Sequence, residues 1–191
     1  MIVLKLGGSL AKSGGLTVCL AALAAIRGDV VVVPGGGVFA DAVREAQPRF
    51  GFSDRAAHRM AILAMEQYAL MLVDRLPRLA PCITLEEMRR AAAAGRPAIW
   101  LPTMLALAEP TIPQSWDVTA DSLAAWLARR LGAERLVLVK SVAAPRPLDI
   151  AALAAGGMVD KAFPSFFAGA DLALDWIGPG EEEFLAERLA A

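Results

Sequence analysis

Twice near the start of the chain an apolar run stops at a cluster of glycines. Met1 to Leu6 leads into Gly7-Gly8-Ser9, and Asp29 to Val33 leads into Pro34-Gly35-Gly36-Gly37. β-Branched residues favour extended backbone, and Pro and Gly end it. Between the two turns, Leu16 to Ile26 reads as a helix, and Val38 to Glu45 opens a second helix straight from the glycines. The repeated order of strand, glycine turn and helix signals a parallel sheet with helices on its faces.

The rest of the chain continues in this pattern. Ser53 and Asp54 can cap a long helix reaching about Leu76, because their oxygens satisfy orphan N–H groups at a helix start. That helix is apolar on more than one side (Met60, Ile62, Leu63, Met65, Leu70, Leu72), which marks it for burial in the fold or against another subunit. Thr84 and Glu87 have the spacing of a capping box for a helix reaching Ala94. Ala98 to Leu101 reads as a strand, Met104 to Ala108 as a short helix, and Asp117 to Gly132 contains a helix with Leu123, Trp126, Leu127 and Leu131 at helical spacing. Leu136 to Val139 is a buried strand. Short helices near Asp149 to Ala155 and after Phe163 precede a strand around Leu172 to Ile177. With no repeat, low-complexity tail or linker, residues 1–191 are expected to form one α/β domain, a three-layer α/β/α sandwich around a mainly parallel sheet.

Composition excludes several functions. A net charge of −1 leaves no electrostatic footprint for nucleic acid or an anionic membrane. Leu16 to Ile26 is too short to span a bilayer, and strands flank it, so it reads as a core helix rather than a signal-peptide core. Cys19 and Cys82 lack metal-ligand spacing and read as buried thiols of a reducing, cytoplasmic compartment. His58 is the only histidine, so zinc sites with several histidines are excluded and one histidine base remains; no metal ligands are assigned.

A glycine turn at a strand's carboxyl end lets backbone N–H groups approach an anion, and the following helix adds its positive end. Either turn alone is compatible with a plain strand-to-helix connection. Neither matches the dinucleotide fingerprint or the P-loop. Two in succession, with Lys5 just ahead of the first, point to phosphate. A lysine in an edge strand would be a solvated guard against aggregation; here it sits in an apolar run.

Val3-Leu4-Lys5-Leu6-Gly7-Gly8-Ser9 and Val31-Val32-Val33-Pro34-Gly35-Gly36-Gly37 resemble the two opening motifs of the amino acid kinase family, which includes acetylglutamate, aspartate, carbamate, uridylate and isopentenyl phosphate kinases. Val118-Thr119-Ala120-Asp121-Ser122-Leu123-Ala124 is similar to the family's central Thr-x-Asp segment, and Leu136 to Lys140 to its nucleotide-side strand. Gly156-Gly157-Met158-Val159-Asp160-Lys161 is similar to its Gly-Gly-Met-x-x-Lys motif. The matches follow family order over nearly the whole chain.

The resemblance implies a kinase using ATP and Mg2+, with an acceptor-binding lobe over about 1–115 and a shortened nucleotide-binding lobe over about 116–191. Gly7, Gly8 and Ser9 would bind the transferring phosphoryl group, and Lys5 would neutralise its oxygens. Lys161 would approach from the opposite side, Asp121 would orient these two lysines, and Lys140 would reach a nucleotide phosphate. Gly35, Gly36, Gly37 and Thr119 would hold the acceptor's own phosphate, with Asp54, His58 or Asp41 on the acceptor's body. Trp116 reads as pocket wall or core. The resemblance also implies a homodimer or larger assembly.

A narrower resemblance, carried by Phe52-Ser53-Asp54 with His58, Ser115-Trp116-Asp117-Val118-Thr119 and Val159 to Pro164, is to the kinases of methanofuran biosynthesis. These convert (5-(aminomethyl)furan-3-yl)methyl phosphate to the diphosphate. Isopentenyl phosphate kinases fit less well, since Asp41 stands where they carry a histidine. One departure keeps another reading open. Ser141-Val142-Ala143-Ala144-Pro145-Arg146-Pro147 replaces the family's Asp-Val-Asp-Gly-x-Tyr nucleotide loop, which suits a degenerate member that only binds phosphorylated ligands. A carboxylate or carbamate kinase would need Arg or Asn groups that the sequence does not locate.

Overall fold

The computed structural model describes residues 1–26 and 28–190. In chain order the elements are β1 (Ile2–Leu6), α1 (Leu10–Ser13), α2 (Gly15–Ala25), β2 (Val30–Pro34), α3 (Gly37–Phe50), α4 (Asp54–Arg75), β3 (Ala80–Cys82), α5 (Leu85–Ala93), β4 (Ala98–Trp100) and α6 (Thr103–Ala108). There follow α7 (Ala120–Leu131), β5 (Arg135–Val139), α8 (Ile150–Ala155), α9 (Phe163–Phe167), β6 (Ala173–Ile177), a 3₁₀ turn (Glu182–Phe184) and α10 (Leu185–Ala190). Six strands form one sheet in the order β3-β4-β2-β1-β5-β6, and every pairing is parallel. The expected three-layer sandwich is therefore present.

Register decides where the chemistry sits. Lys5 lies opposite Val33 of β2 and Leu138 of β5, and Leu6 opposite Pro34 and Val139. The chain thus leaves β1, β2 and β5 at one level, and the two glycine turns and Lys140 share one edge of the sheet. Open α/β sheets bind ligands outside these carboxyl ends.

The period of two along a strand sorts side chains between the faces. Leu4, Leu6, Val30, Val32, Val137 and Val139 pack with α2, α4 and α10. Val3, Val31, Val33, Leu136 and Leu138 pack on the other face, largely against α7. Alternation puts Lys5 on the α7 face beside Val3. Because β1 is central, Lys5 is buried (5% exposed); it is not an edge-strand guard.

The helix starts form as the sequence suggests. Ser53 Oγ accepts the Ala56 N–H at 3.3 Å, and Thr84 and Glu87 complete a reciprocal capping box. α3 runs beyond Glu45, carries Pro48 in its last turn, and ends at Gly51 in the left-handed region (φ 68°). β3 was not anticipated: with Pro81 at its centre it can only be an edge strand. Cys19 and Cys82 are buried free thiols. Among the described residues no helix is long and apolar enough to cross a membrane.

Candidate active site

The two glycine turns touch backbone to backbone. A Cβ on Gly8 would lie 2.4 Å from the Gly37 nitrogen, and one on Gly35 would lie 2.5 Å from the Gly8 nitrogen. Two of the turn N–H groups anchor the turns: Gly7 donates to the Val139 carbonyl at 3.0 Å and Gly35 to that of Leu6 at 2.9 Å. Gly7 and Gly35 therefore shape the turns rather than offer donors. Among the described residues, no protein acceptor takes the N–H groups of Gly8, Ser9, Gly36 or Gly37. The first turn of α3 also lacks an acidic residue. Unsatisfied N–H groups at the positive end of a helix form an anion site.

A cavity of about 310 Å³ opens over these turns. Four cationic side chains line it (Lys5, Lys12, Arg44 and Lys140) against two carboxylates, Asp41 and Asp121. Ala61, Ile62 and Met65 of α4, with Val118 and Leu123, form an apolar wall. The cavity spans both parts of the chain, receiving residues from the first glycine turns and from the 116–140 segment.

At its floor lies a buried ion triad. Lys5 Nζ is 2.8 Å from Asp121 Oδ1, and Lys140 Nζ is 2.7 Å from Asp121 Oδ2, which it hydrogen-bonds. Burial alone would raise the Asp121 carboxyl, but the two ammoniums overcome that and hold it below the usual range. Burial and neighbouring Lys5 push Lys140 down to about 8, with Asp121 opposing. Asp121 pairs with two lysines; the resemblance implies Lys5 and Lys161, but the second is Lys140. Lys161 does not line the cavity; its side chain is largely exposed and pairs with Asp117 at 3.3 Å.

The other anticipated residues fall into two groups. Gly8, Ser9, Gly36, Gly37, His58 and Thr119 border the cavity. The Thr119 hydroxyl and N–H both donate to Asp160 Oδ2 at 2.8 Å, so neither donor is free for a ligand. His58 is buried on the wall (3% exposed), with Nδ1 3.1 Å from the Ser115 carbonyl and Nε2 unpartnered. Burial lowers its pKa, against the pull of the Ser115 and Val118 carbonyls. Asp54 does not line the cavity; it accepts a hydrogen bond from Gln47 Nε2 at 2.7 Å.

That bond belongs to a rim network that sequence reading missed. Trp116 is half-buried and donates its indole N–H to Gln47 Oε1 at 2.6 Å. The Arg44 guanidinium lies 4.5 Å from the Trp116 ring centroid. Arg44 and Lys12 share Asp41, at 3.3 and 3.0 Å. The spacing of Gly37, Ala40, Asp41 and Arg44 along one side of α3 was the available signal, but nothing in it separates a cavity cation from a solvated one. The arginine missing from the carboxylate-kinase reading is thus also present.

Beyond Lys140 the shortened loop is pinned over β6. The Trp176 indole N–H donates to the Val142 carbonyl at 3.0 Å, and Arg146 reaches the Trp176 carbonyl at 3.3 Å. Ser9 and Ser141 hydroxyls meet at 2.8 Å, joining this loop to the first glycine turn. Among the described residues no group of three or more His, Cys, Asp or Glu side chains could hold a metal ion.

Comparison with known proteins agrees with this architecture. The chain is 27% identical over 113 residues to the [5-(aminomethyl)furan-3-yl]methyl phosphate kinase of Methanocaldococcus jannaschii, covering 59% of this chain and 52% of that protein. It thus spans about half the length of that curated relative. Its fold is like that of uridylate kinase from Archaeoglobus fulgidus (TM-score 0.72, 18% identity, covering 100% of this chain and 95% of the other). It is also like that of UMP kinase from Bacillus anthracis (TM-score 0.71, 14% identity, 98% and 91% covered). Residues 1–144, which carry both glycine turns and the Lys5–Asp121–Lys140 triad, match the amino acid kinase family, and the chain belongs to that family.

Proposed function

We propose that the chain is a kinase that transfers a phosphoryl group from ATP to a small phosphate monoester. The observation that carries this reading is the buried carboxylate holding two ammoniums at the junction of two anion-binding glycine turns. Phosphoryl transfer asks a protein mainly to position reactants and neutralise charge. Gly36 and Gly37, with the start of α3, bind the acceptor's phosphate, and Arg44 and Lys12 close over it. Lys5 and Lys140, steadied by Asp121, neutralise the group in transit beside Gly8 and Ser9. A phosphate acceptor is already largely ionised near neutral pH, so no general base is needed.

(5-(Aminomethyl)furan-3-yl)methyl phosphate is the acceptor this reading favours. The relative's activity supports this choice, and the small apolar wall of the cavity suits the ring. The site fits ATP at its phosphate end, through Lys140, Gly8 and Ser9. Ser141 to Pro147 supplies no acid or aromatic for the base and ribose. ATP supplies the phosphoryl group, with Mg2+ arriving on its phosphates. Lys161 is assigned the leaving phosphate, which it reaches by releasing Asp117. The reading also places the protein in the cytoplasm and includes a homodimer through α4.

The pinned 141–147 loop favours a second reading, a family member that binds phosphorylated ligands without a nucleotide. One experiment separates them: Mg-ATP with the aminomethylfuran phosphate, isopentenyl phosphate, UMP and acetylglutamate, alongside ATP calorimetry. Turnover of a phosphate ester, cut at least ~100-fold in Lys5→Ala, supports the kinase. No turnover and no ATP binding leaves the second reading.

A further inference from the structure

The first turn of α7, which carries Asp121, is held by a residue from another part of the chain. Thr119 occupies the N-cap position, yet its own side chain caps nothing. Asp121 cannot serve, because both its oxygens face Lys5 and Lys140. The cap is Asp160, 41 residues beyond Thr119. Its Oδ2 accepts the N–H and hydroxyl of Thr119, each at 2.8 Å, and the N–H of Ser122 at 3.0 Å; its Oδ1 accepts the Ser122 hydroxyl. Two more contacts fasten the same segments, Ala162 N–H to the Asp117 carbonyl at 2.9 Å and Lys161 to Asp117.

Helix starts leave N–H groups without intrahelical acceptors, and a carboxylate is a strong cap. The start of α7 therefore uses two carboxylates for separate tasks: one caps the helix while the other turns inward to the lysines.

We propose that Asp160 is the positioning residue of this site, fixing the first turn of α7 so that Asp121 stands between Lys5 and Lys140, and tying the Lys161 turn to the same helix end. The functional part of this inference rests on the kinase reading; the positional part does not. Asp160 also acts on Lys140 through its charge, favouring the ammonium. The groups facing Lys140 are Lys5 from β1, Asp121 from α7, Asp160 from the turn and the Trp176 ring of β6 at 5.7 Å.

The test uses the full chain with Asp160→Asn and Ser122→Ala. An asparagine has one accepting oxygen in place of two and brings no charge, so it holds the turn less firmly. Three measurements are made: the Lys140 Nζ titration by NMR, kcat against acceptor KM, and thermal stability. Asp160→Asn is expected to make Lys140 titrate at lower pH. It should also lower kcat about 10- to 100-fold, the scale of a small misplacement, with KM changed less than about threefold. Ser122→Ala, which removes one donor to Asp160, should lower kcat in the same sense but less. A wild-type kcat and Lys140 titration in Asp160→Asn, with only stability reduced, would overturn the inference, leaving a structural cap. If Asp160→Asn does not fold, an unchanged kcat in Ser122→Ala overturns it instead. If the wild-type chain transfers no phosphoryl group, the kinase reading fails and the NMR titration alone decides the role of Asp160.

Discussion

At the scale of single residues the site depends on Asp121. It compensates two buried ammoniums, and breaking a buried pair is far more costly than losing a surface one. Asp121→Asn is therefore expected to lose about 3–5 kcal/mol near neutral pH, read by urea unfolding. Asp121 favours the Lys140 ammonium, so in this variant Lys140 should shed its proton below about 8, which relieves one of the two uncompensated charges and leaves that of Lys5. In the wild type the depressed Asp121 carboxyl works in the opposite range. Its contribution is complete above the unfolded carboxylate pKa and is lost as pH falls through the lower folded value. Lys140 has a folded pKa below its unfolded one, so between about 8 and 10.5 the unfolded chain binds more protons and stability rises with pH. Catalysis should show the reverse: neutral Lys140 no longer screens the transferring group, so kcat falls as pH rises through about 8. In Lys140→Arg, whose charge does not titrate, that alkaline limb should vanish from the pH–rate profile.

At the scale of elements, the two glycine turns act as one unit because β1 and β2 are neighbours in register. Gly8 meets backbone, which cannot yield as a flexible side chain can. Gly8→Ala should push the turns apart, lowering the melting temperature and weakening inorganic phosphate binding at least about tenfold by calorimetry. Full phosphate affinity in that variant would remove the turns from the anion site. Gly37 is constrained twice over, by a φ of 52° and by the Tyr68 ring, 2.5 Å from where its Cβ would lie. The glycine pattern was legible in the sequence because backbone approach demands glycine whatever surrounds it. The rim network was not: Arg44, Trp116, Gln47 and Asp54 lie on three separate segments, and only packing brings them into line.

Across the whole molecule, α4 carries both site and surface. It turns Ile62 and Met65 inward, while Met60, Leu63 and Leu70 remain exposed, at 39, 47 and 54%. Such an apolar stripe suits a second copy of the chain. Leu63→Glu with Leu70→Glu should convert an oligomer to monomers by light scattering, with the far-ultraviolet spectrum unchanged. A wild-type monomer would remove α4 from any interface.

Asp121 was legible only through the family resemblance, whereas the residues by themselves determined the layered parallel architecture, the two glycine turns, the Ser53 and Thr84–Glu87 helix caps and the placement of Lys5 just ahead of the first turn. Those features depend on local periodicity, on the absence of a Cβ, and on residue types at fixed short spacing. Only the tertiary structure decided that Asp121 holds Lys140 rather than Lys161, that Asp160 caps α7, that Asp54 and Lys161 lie off the cavity, and that Lys12 and Arg44 line it. Each of these is a meeting of side chains from distant segments. Strand register and helix packing set such distances, and the spacing of residues along the chain does not encode them.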